Sequence, residues 1–218
     1  MPEMAITLFG LGRSVYTRIA RLALEEKGVA YQLEEVEIFG SAGVPAEHLA
    51  RHPFGRIPVL QHGAFMLYET AAITRYIDEA FAGPPLQPAA STARARMNQI
   101  IGILDAYAFR AMVWGVFVER VRVPATGRLA DNGKIARALL AATTCLAALG
   151  RIADGDDFLV AGRLTLADLH AYPMLRYLEL APEGSSLLEE QAPLQAWYRA
   201  MQRRASVEHT RSLFELDA

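Results

Sequence analysis

The chain has 218 residues, 52% of them hydrophobic, one cysteine and a formal net charge of -2. That length fills one large core or two small ones. The charge gives no reason to look for nucleic acid or an anionic membrane as partner, and a single cysteine excludes an internal disulfide framework or a multi-cysteine metal site. The first residues, "MPEMAITLFG", lack a basic start followed by a long apolar run. No stretch reads as approaching the ~20 apolar residues of a bilayer span, so a soluble cytoplasmic protein is expected.

Residues 5–9, "AITLF", read as a short buried strand. After "GLGRS", Val15, Ile19, Leu22 and Ala23 recur at helical spacing, with Gly28 as the C-cap signal. "VAYQLEEVEI" is a weaker strand, and "IPVL", "QHG" and "AFMLY" form a hairpin with Gly63 in the turn. Ile73, Tyr76, Ile77, Ala80 and Phe81 mark a helix starting near Glu69. The three prolines of "AGPPLQPAAS", residues 82–91, read as a linker. Beyond it strand signals nearly vanish, and helical patterns cover 92–121, 131–152, the residues after Thr165 and "PLQAWYRAM". The pattern predicts a small α/β domain over 1–82 and an all-helical domain over 92–218.

Several residues carry two readings each. Pro58, inside the apolar run "IPVL", is either an ordinary strand start or a cis proline beside a ligand-facing backbone. Glu69 and Thr70 open a helix directly after a strand. They act as caps, or as an acceptor for an ammonium and a donor for a carboxylate at a helix N-terminus. Ser14 likewise caps the first helix or points its hydroxyl at a ligand sulfur or oxygen. Thr165 and Asp168 form a capping box, read as structural. Cys145 reads as a buried inert thiol, and Arg120, Arg122 and Arg128 as a solvated loop. The five histidines (His48, His52, His62, His170 and His209) show no metal-ligand spacing, so no metal is expected. Tyr107, Phe109, Met112, Trp114 and Phe117 run around several faces of one helix. Some must therefore leave its core stripe for an apolar pocket.

"SVYTRIARLALEEKGVAY", "HPFGRIPVL", "LYETAAITRYI", the proline-rich linker and "FLVAGRLTLADLHAYPML" occur in one order. Together they resemble the cytosolic glutathione S-transferases over nearly the whole chain. The resemblance implies an α/β thioredoxin-like N-terminal domain, an all-α C-terminal domain and a two-fold homodimer. It also implies a cytoplasmic detoxification enzyme with glutathione as co-substrate and no metal. By the same resemblance Pro58 is cis, and the Ile57 backbone pairs with the cysteinyl part of glutathione as an added strand. Glu69 and Thr70 match the pair that holds the γ-glutamyl end, and Arg56 faces the glycyl carboxylate. His52 stands where asparagine is frequent and takes at most a supporting role. Leu11, Tyr107, Met112 and Trp114 are placed in the electrophile pocket.

The subclass turns on the activating group. Phe9 and Gly10 stand where tyrosine-type members carry tyrosine, and no cysteine precedes Cys145. Ser14 therefore matches the serine of phi-like and theta-like members, here a bacterial type. A glutathione thiol with pKa near 8.5 is mostly protonated at neutral pH, so a hydroxyl donating to the sulfur favours the nucleophilic thiolate. The expected reaction is conjugation to small hydrophobic electrophiles. A glutathione-dependent isomerase, peroxidase or lyase, or a non-catalytic binding module, are the rival readings.

Overall fold

The computed structural model describes residues 5–153 and 157–216. The chain divides into two compact units: residues up to Pro85 together with those from Ala205 onward, and Leu86–Arg204. The sequence expectation placed everything after residue 92 in the helical domain, whereas the last segment belongs with the first unit.

In the first unit β1 (Ile6–Gly10), α1 (Val15–Glu26), β2 (Gln32–Glu35), α2 (Ala46–Arg51), β3 (Val59–His62), β4 (Phe65–Tyr68) and α3 (Thr70–Ala80) follow in order. The sheet order is β2-β1-β3-β4. Strand β1 is parallel to β2 and antiparallel to β3, which is antiparallel to β4. Helix α1 buries Val15, Ile19, Leu22 and Ala23, the stripe read from the sequence. It ends where Gly28 takes φ +65 and lets the amides of Gly28 and Val29 reach the carbonyls of Glu25 and Leu24. Between β2 and β3 lies α2, whose six residues are too few to show periodicity.

Helices α9 (Ala205–His209) and α10 (Leu213–Leu216) return to the first unit. The buried Arg18 of α1 pairs with buried Glu215 and donates to the Val207 carbonyl at 3.2 Å. Arg21 donates to the His209 carbonyl at 3.1 Å, and the Ser206 hydroxyl donates to Glu26. These long-range polar contacts leave no mark on hydrophobic periodicity.

The second unit starts with Leu86, whose side chain is buried and whose carbonyl accepts from the Leu166 amide at 3.0 Å. It contains α4 (Ser91–Ile103), a π-helix (Leu104–Arg122), a single 3-10 turn, α5 (Asn132–Ile152), α6 (Leu166–Glu179), α7 (Pro182–Glu189) and α8 (Ala192–Gln202). A Cβ on Gly115 would lie 2.4 Å from the Ala138 Cβ, so the π-helix and α5 cross over a bare α-carbon. Ser91–Arg122 and Asn132–Ile152 are long and apolar enough, by length and composition alone, to cross a membrane. This corrects the expectation that no stretch approaches that length, and much of the apolar character of the first belongs to the core of this unit. Arg120 is not on a solvated loop; it lies in the π-helix and pairs with Glu183. Cys145 is buried, which pushes its thiol pKa up.

The capping box of α6 is present and extended. Asp168 accepts from the Thr165 amide (2.7 Å) and hydroxyl (2.8 Å), the Leu159 amide (2.8 Å) and the Trp197 indole (2.9 Å). Full burial pushes its carboxyl pKa up to about 6, against the pull of these four donors. Asp168→Ala strands four buried donors together. It is expected to lower stability by about 3 kcal/mol or more in denaturant titration followed by Trp fluorescence. A loss within about 0.5 kcal/mol would show that water replaces the carboxylate.

Candidate functional site

The sheet register sets the site. Phe9 pairs with Val59, and Val59 with Tyr68, so β1 ends, β3 begins and β4 ends at the same sheet edge. The segments leaving or entering the sheet there are Leu11–Ser14, Arg56–Pro58 and Glu69–Thr70. A shared apolar cluster of Phe9, Leu11, Val36, Ile57 and Val59, with Tyr68 against it, holds the three roots together. Three sequence-distant groups of candidate residues are thus brought to one edge by strand pairing.

The Leu11–Ser14 loop is tied at several points. The Ser14 amide donates to the Leu11 carbonyl at 2.9 Å, the Gly12 amide to Glu35 Oε1 at 2.9 Å, and Arg13 pairs with Glu37. The hydrogen bond from Arg13 holds the Glu37 carboxyl below the usual carboxylate range. Ser14 is the N-cap of α1, and its Oγ accepts from the Thr17 amide at 3.4 Å. Capping uses the oxygen lone pair, so the hydroxyl hydrogen remains to donate elsewhere. The capping and ligand-facing readings of Ser14 are therefore compatible. Beneath it, a Cβ on Gly10 would lie 2.4 Å from Thr17 Oγ1. A tyrosine at residue 10 is incompatible with this packing of α1 on β1.

At Arg56–Pro58 the peptide bond between Ile57 and Pro58 is cis, as the resemblance implied. Strand pairing of β3 starts only at Val59. The carbonyl of Gly10, the next acceptor along β1, is taken by the Val36 amide at 2.9 Å. The Ile57 backbone makes no backbone hydrogen bond among the described residues. Its side chain is buried while Arg56 is exposed, and the Arg56 carbonyl lies 2.7 Å from His48 Nε2.

Glu69 is the N-cap of α3 with no side-chain capping bond, and its φ of 70 with ψ of 112 is a conformation few non-glycine residues adopt. Its carboxylate is exposed, whereas Thr70 is buried at the helix start. The sequence pattern could not report that strain, since Glu is an ordinary helix-start residue. His52 is buried under these two segments, its ring 4.6 Å from that of Tyr68. Of the residues placed in an apolar pocket, Tyr107 is 67% and Trp114 42% exposed. Leu11 lies in the cluster of the first unit, and Met112 is fully buried among the inward residues of the π-helix, so neither presents surface. Among the described residues no group of three or more His, Cys, Asp or Glu is disposed to hold a metal.

Residues 8–85 match the model of the glutathione S-transferase N-terminal domain, and residues 132–200 that of the C-terminal domain. Glutathione S-transferase F6 of Arabidopsis thaliana is 26% identical over 204 residues, covering 93% of this chain and 97% of the relative. The theta class glutathione S-transferase of Xanthomonas axonopodis pv. citri, solved with glutathione bound, is 31% identical with a TM-score of 0.76, covering 95% of this chain and 97% of that one. Glutathione S-transferase I from maize, solved with an atrazine glutathione conjugate, superposes with a TM-score of 0.84 at 25% identity, covering 98% of this chain and 100% of that one. The chain belongs to the glutathione S-transferase family.

The backbone of Glu69 generates a stability prediction. Glycine adopts positive φ freely, so Glu69→Gly is expected to raise unfolding free energy by about 1 kcal/mol, the relief of strain less the added chain entropy. Glu69→Ala keeps the strain and should leave stability within about 0.5 kcal/mol of wild type. Equal stability of the two variants in urea titration would show that residue 69 is unstrained.

Proposed function

We propose that this chain is a serine-type glutathione transferase that conjugates the thiolate of glutathione to small hydrophobic electrophiles. The observation that carries the reading is the state of Ser14: its oxygen is occupied in capping α1, and its hydrogen is free to donate at a helix N-terminus. At the same sheet edge lie the unclaimed Ile57 backbone and the Glu69–Thr70 helix start. Glutathione would lie along that edge. Its cysteinyl amide and carbonyl would pair with Ile57, its γ-glutamyl ammonium with Glu69, and the adjoining carboxylate with Thr70 and the α3 amides. Arg56 would meet the glycyl carboxylate.

The role of Ser14 is to hold the sulfur anion, not to attack. Loss of the thiol proton to solvent leaves a thiolate that accepts from Ser14 Oγ–H and lies in the field of α1. Each unit by which its pKa falls corresponds to about 1.4 kcal/mol of preference for the thiolate. The sulfur lone pair then forms the S–C bond while the leaving group departs with its electron pair. Tyr107 and Trp114 are exposed aromatic residues of the second unit, and their apolar surface suits a hydrophobic electrophile. The conjugate seen with the maize relative is of this chemical type.

Ser14→Ala should raise the pKa of bound glutathione by about one unit or more, which means roughly tenfold slower conjugation near pH 6.5. The defect should narrow toward pH 9, with glutathione affinity little changed. Thr70→Ala should do the opposite, weakening glutathione binding roughly tenfold by calorimetry while leaving the thiol pKa in place. Wild-type turnover by Ser14→Ala throughout that pH range, in an assay limited by chemistry, would remove the serine from the mechanism.

A homodimer is proposed with this function, because Phe65 and Met66 of β4 are exposed large apolar residues. Sedimentation at micromolar concentration should give one species of twice 23.9 kDa. A single 23.9 kDa species would refute it.

A further inference from the structure

Two buried histidines lie beneath the segments just described. His48, in α2, has its Nε2 2.7 Å from the Arg56 carbonyl oxygen. A carbonyl only accepts, so Nε2 carries the proton, and Nδ1 is a buried nitrogen without a hydrogen-bond partner. His52 follows at the C-cap of α2 and is 2% exposed. Its ring lies 4.6 Å from that of Tyr68 at 32°, with Phe54 edge-on at 6.0 Å. The Phe54 amide donates to His52 Nδ1 at 3.4 Å, and the Gly55 amide to the His52 carbonyl at 2.9 Å. Tyr68 is the residue before Glu69. His52 is thus wedged between the loop that leads to Arg56–Pro58 and the strand that leads into Glu69.

We propose that His52 is a positioning residue, working only as a neutral imidazole, that fixes the Ile57 edge relative to Glu69 and makes glutathione affinity fall on mild acidification. The inference rests on the glutathione-binding reading of the preceding subsection. Protonation at Nδ1 destroys the acceptor of the Phe54 amide and leaves that N–H without its protein partner in a part-buried loop. It also places a cation within reach of Glu69, where it competes with the ligand ammonium for the same carboxylate. The charged and titratable groups facing His52 are Glu69, His48 and Arg56, together with the Tyr68 phenol against its ring. Burial favours the neutral ring most strongly, Glu69 opposes it, and His48 and Arg56 reinforce it, so its pKa lies below the ordinary 6.5. Stacking on Tyr68 persists in either state, so the acid form should remain folded.

The test uses S-methylglutathione, whose capped sulfur removes thiol titration and whose carboxylates titrate below about pH 4. Affinity for the full chain is measured by calorimetry between about pH 5 and pH 7.5. Wild type should lose roughly tenfold in affinity toward pH 5, as expected for loss of a charged partner. His52→Asn keeps an acceptor for the Phe54 amide and cannot charge, so it should bind within threefold of wild type near pH 7 and stay flat with pH. His52→Phe keeps the stacking without the acceptor, and should be flat but weaker throughout. The same pH profile in wild type and His52→Asn overturns the proposal while leaving the glutathione reading intact. No binding by wild type near pH 7 overturns both. Should neither variant fold, NMR titration of the wild-type His52 ring decides: its midpoint must coincide with the midpoint of the affinity loss, and a mismatch overturns the proposal.

Discussion

Folding normally leaves no main-chain group unpaired, so a segment that keeps its backbone out of a ladder is an exception. Here the exception arises where β3 begins. Pro58 has no amide hydrogen to offer, and the Gly10 carbonyl is already committed to Val36. Pairing with β1 therefore starts at Val59, and Ile57 keeps its backbone out of the ladder while its side chain anchors in the apolar cluster. The buried side chain makes the open backbone tolerable, because it fixes the segment without using its polar groups.

The other site groups obey the same economy. Ser14 stabilises α1 through an oxygen lone pair and retains its proton. Glu69 begins α3 but makes no capping bond, and its carboxylate stays exposed on a strained backbone. Strain of this kind persists only where surrounding packing over-determines the chain. Tyr68 supplies that packing from one side, stacked on His52 and joined to the apolar cluster. The histidine pair thus belongs to the scaffold of the site, linking α2, the Arg56 carbonyl and the end of β4.

Stability is secured largely away from this edge. In the first unit the Arg18–Glu215 pair and its neighbours fasten the last segment along α1. In the second, Asp168 gathers the start of α6, the Leu159 amide and Trp197 into one buried network. Both are desolvated charges, tolerable only because each is met by several hydrogen-bond partners. They let the site edge remain open and partly strained without the fold depending on it.

Much of this was legible in the residues. Periodicity fixed β1, α1, the β3–β4 hairpin, α3 and the long helices, because amphipathic burial writes itself into spacing. The Thr165–Asp168 box was readable for the same reason, being a local signal. The ordered motifs pointed to the family and to Ser14, Ile57, Pro58, Glu69 and Thr70. Only the tertiary structure brought those three segments to one sheet edge, since strand register is a long-range choice. It alone assigned Leu11 and Met112 to cores, returned Arg18 to Glu215 across the length of the chain, and set His52 beneath Glu69. Those outcomes depend on which residues meet in space, and a linear pattern carries that information only where the partners are neighbours in sequence.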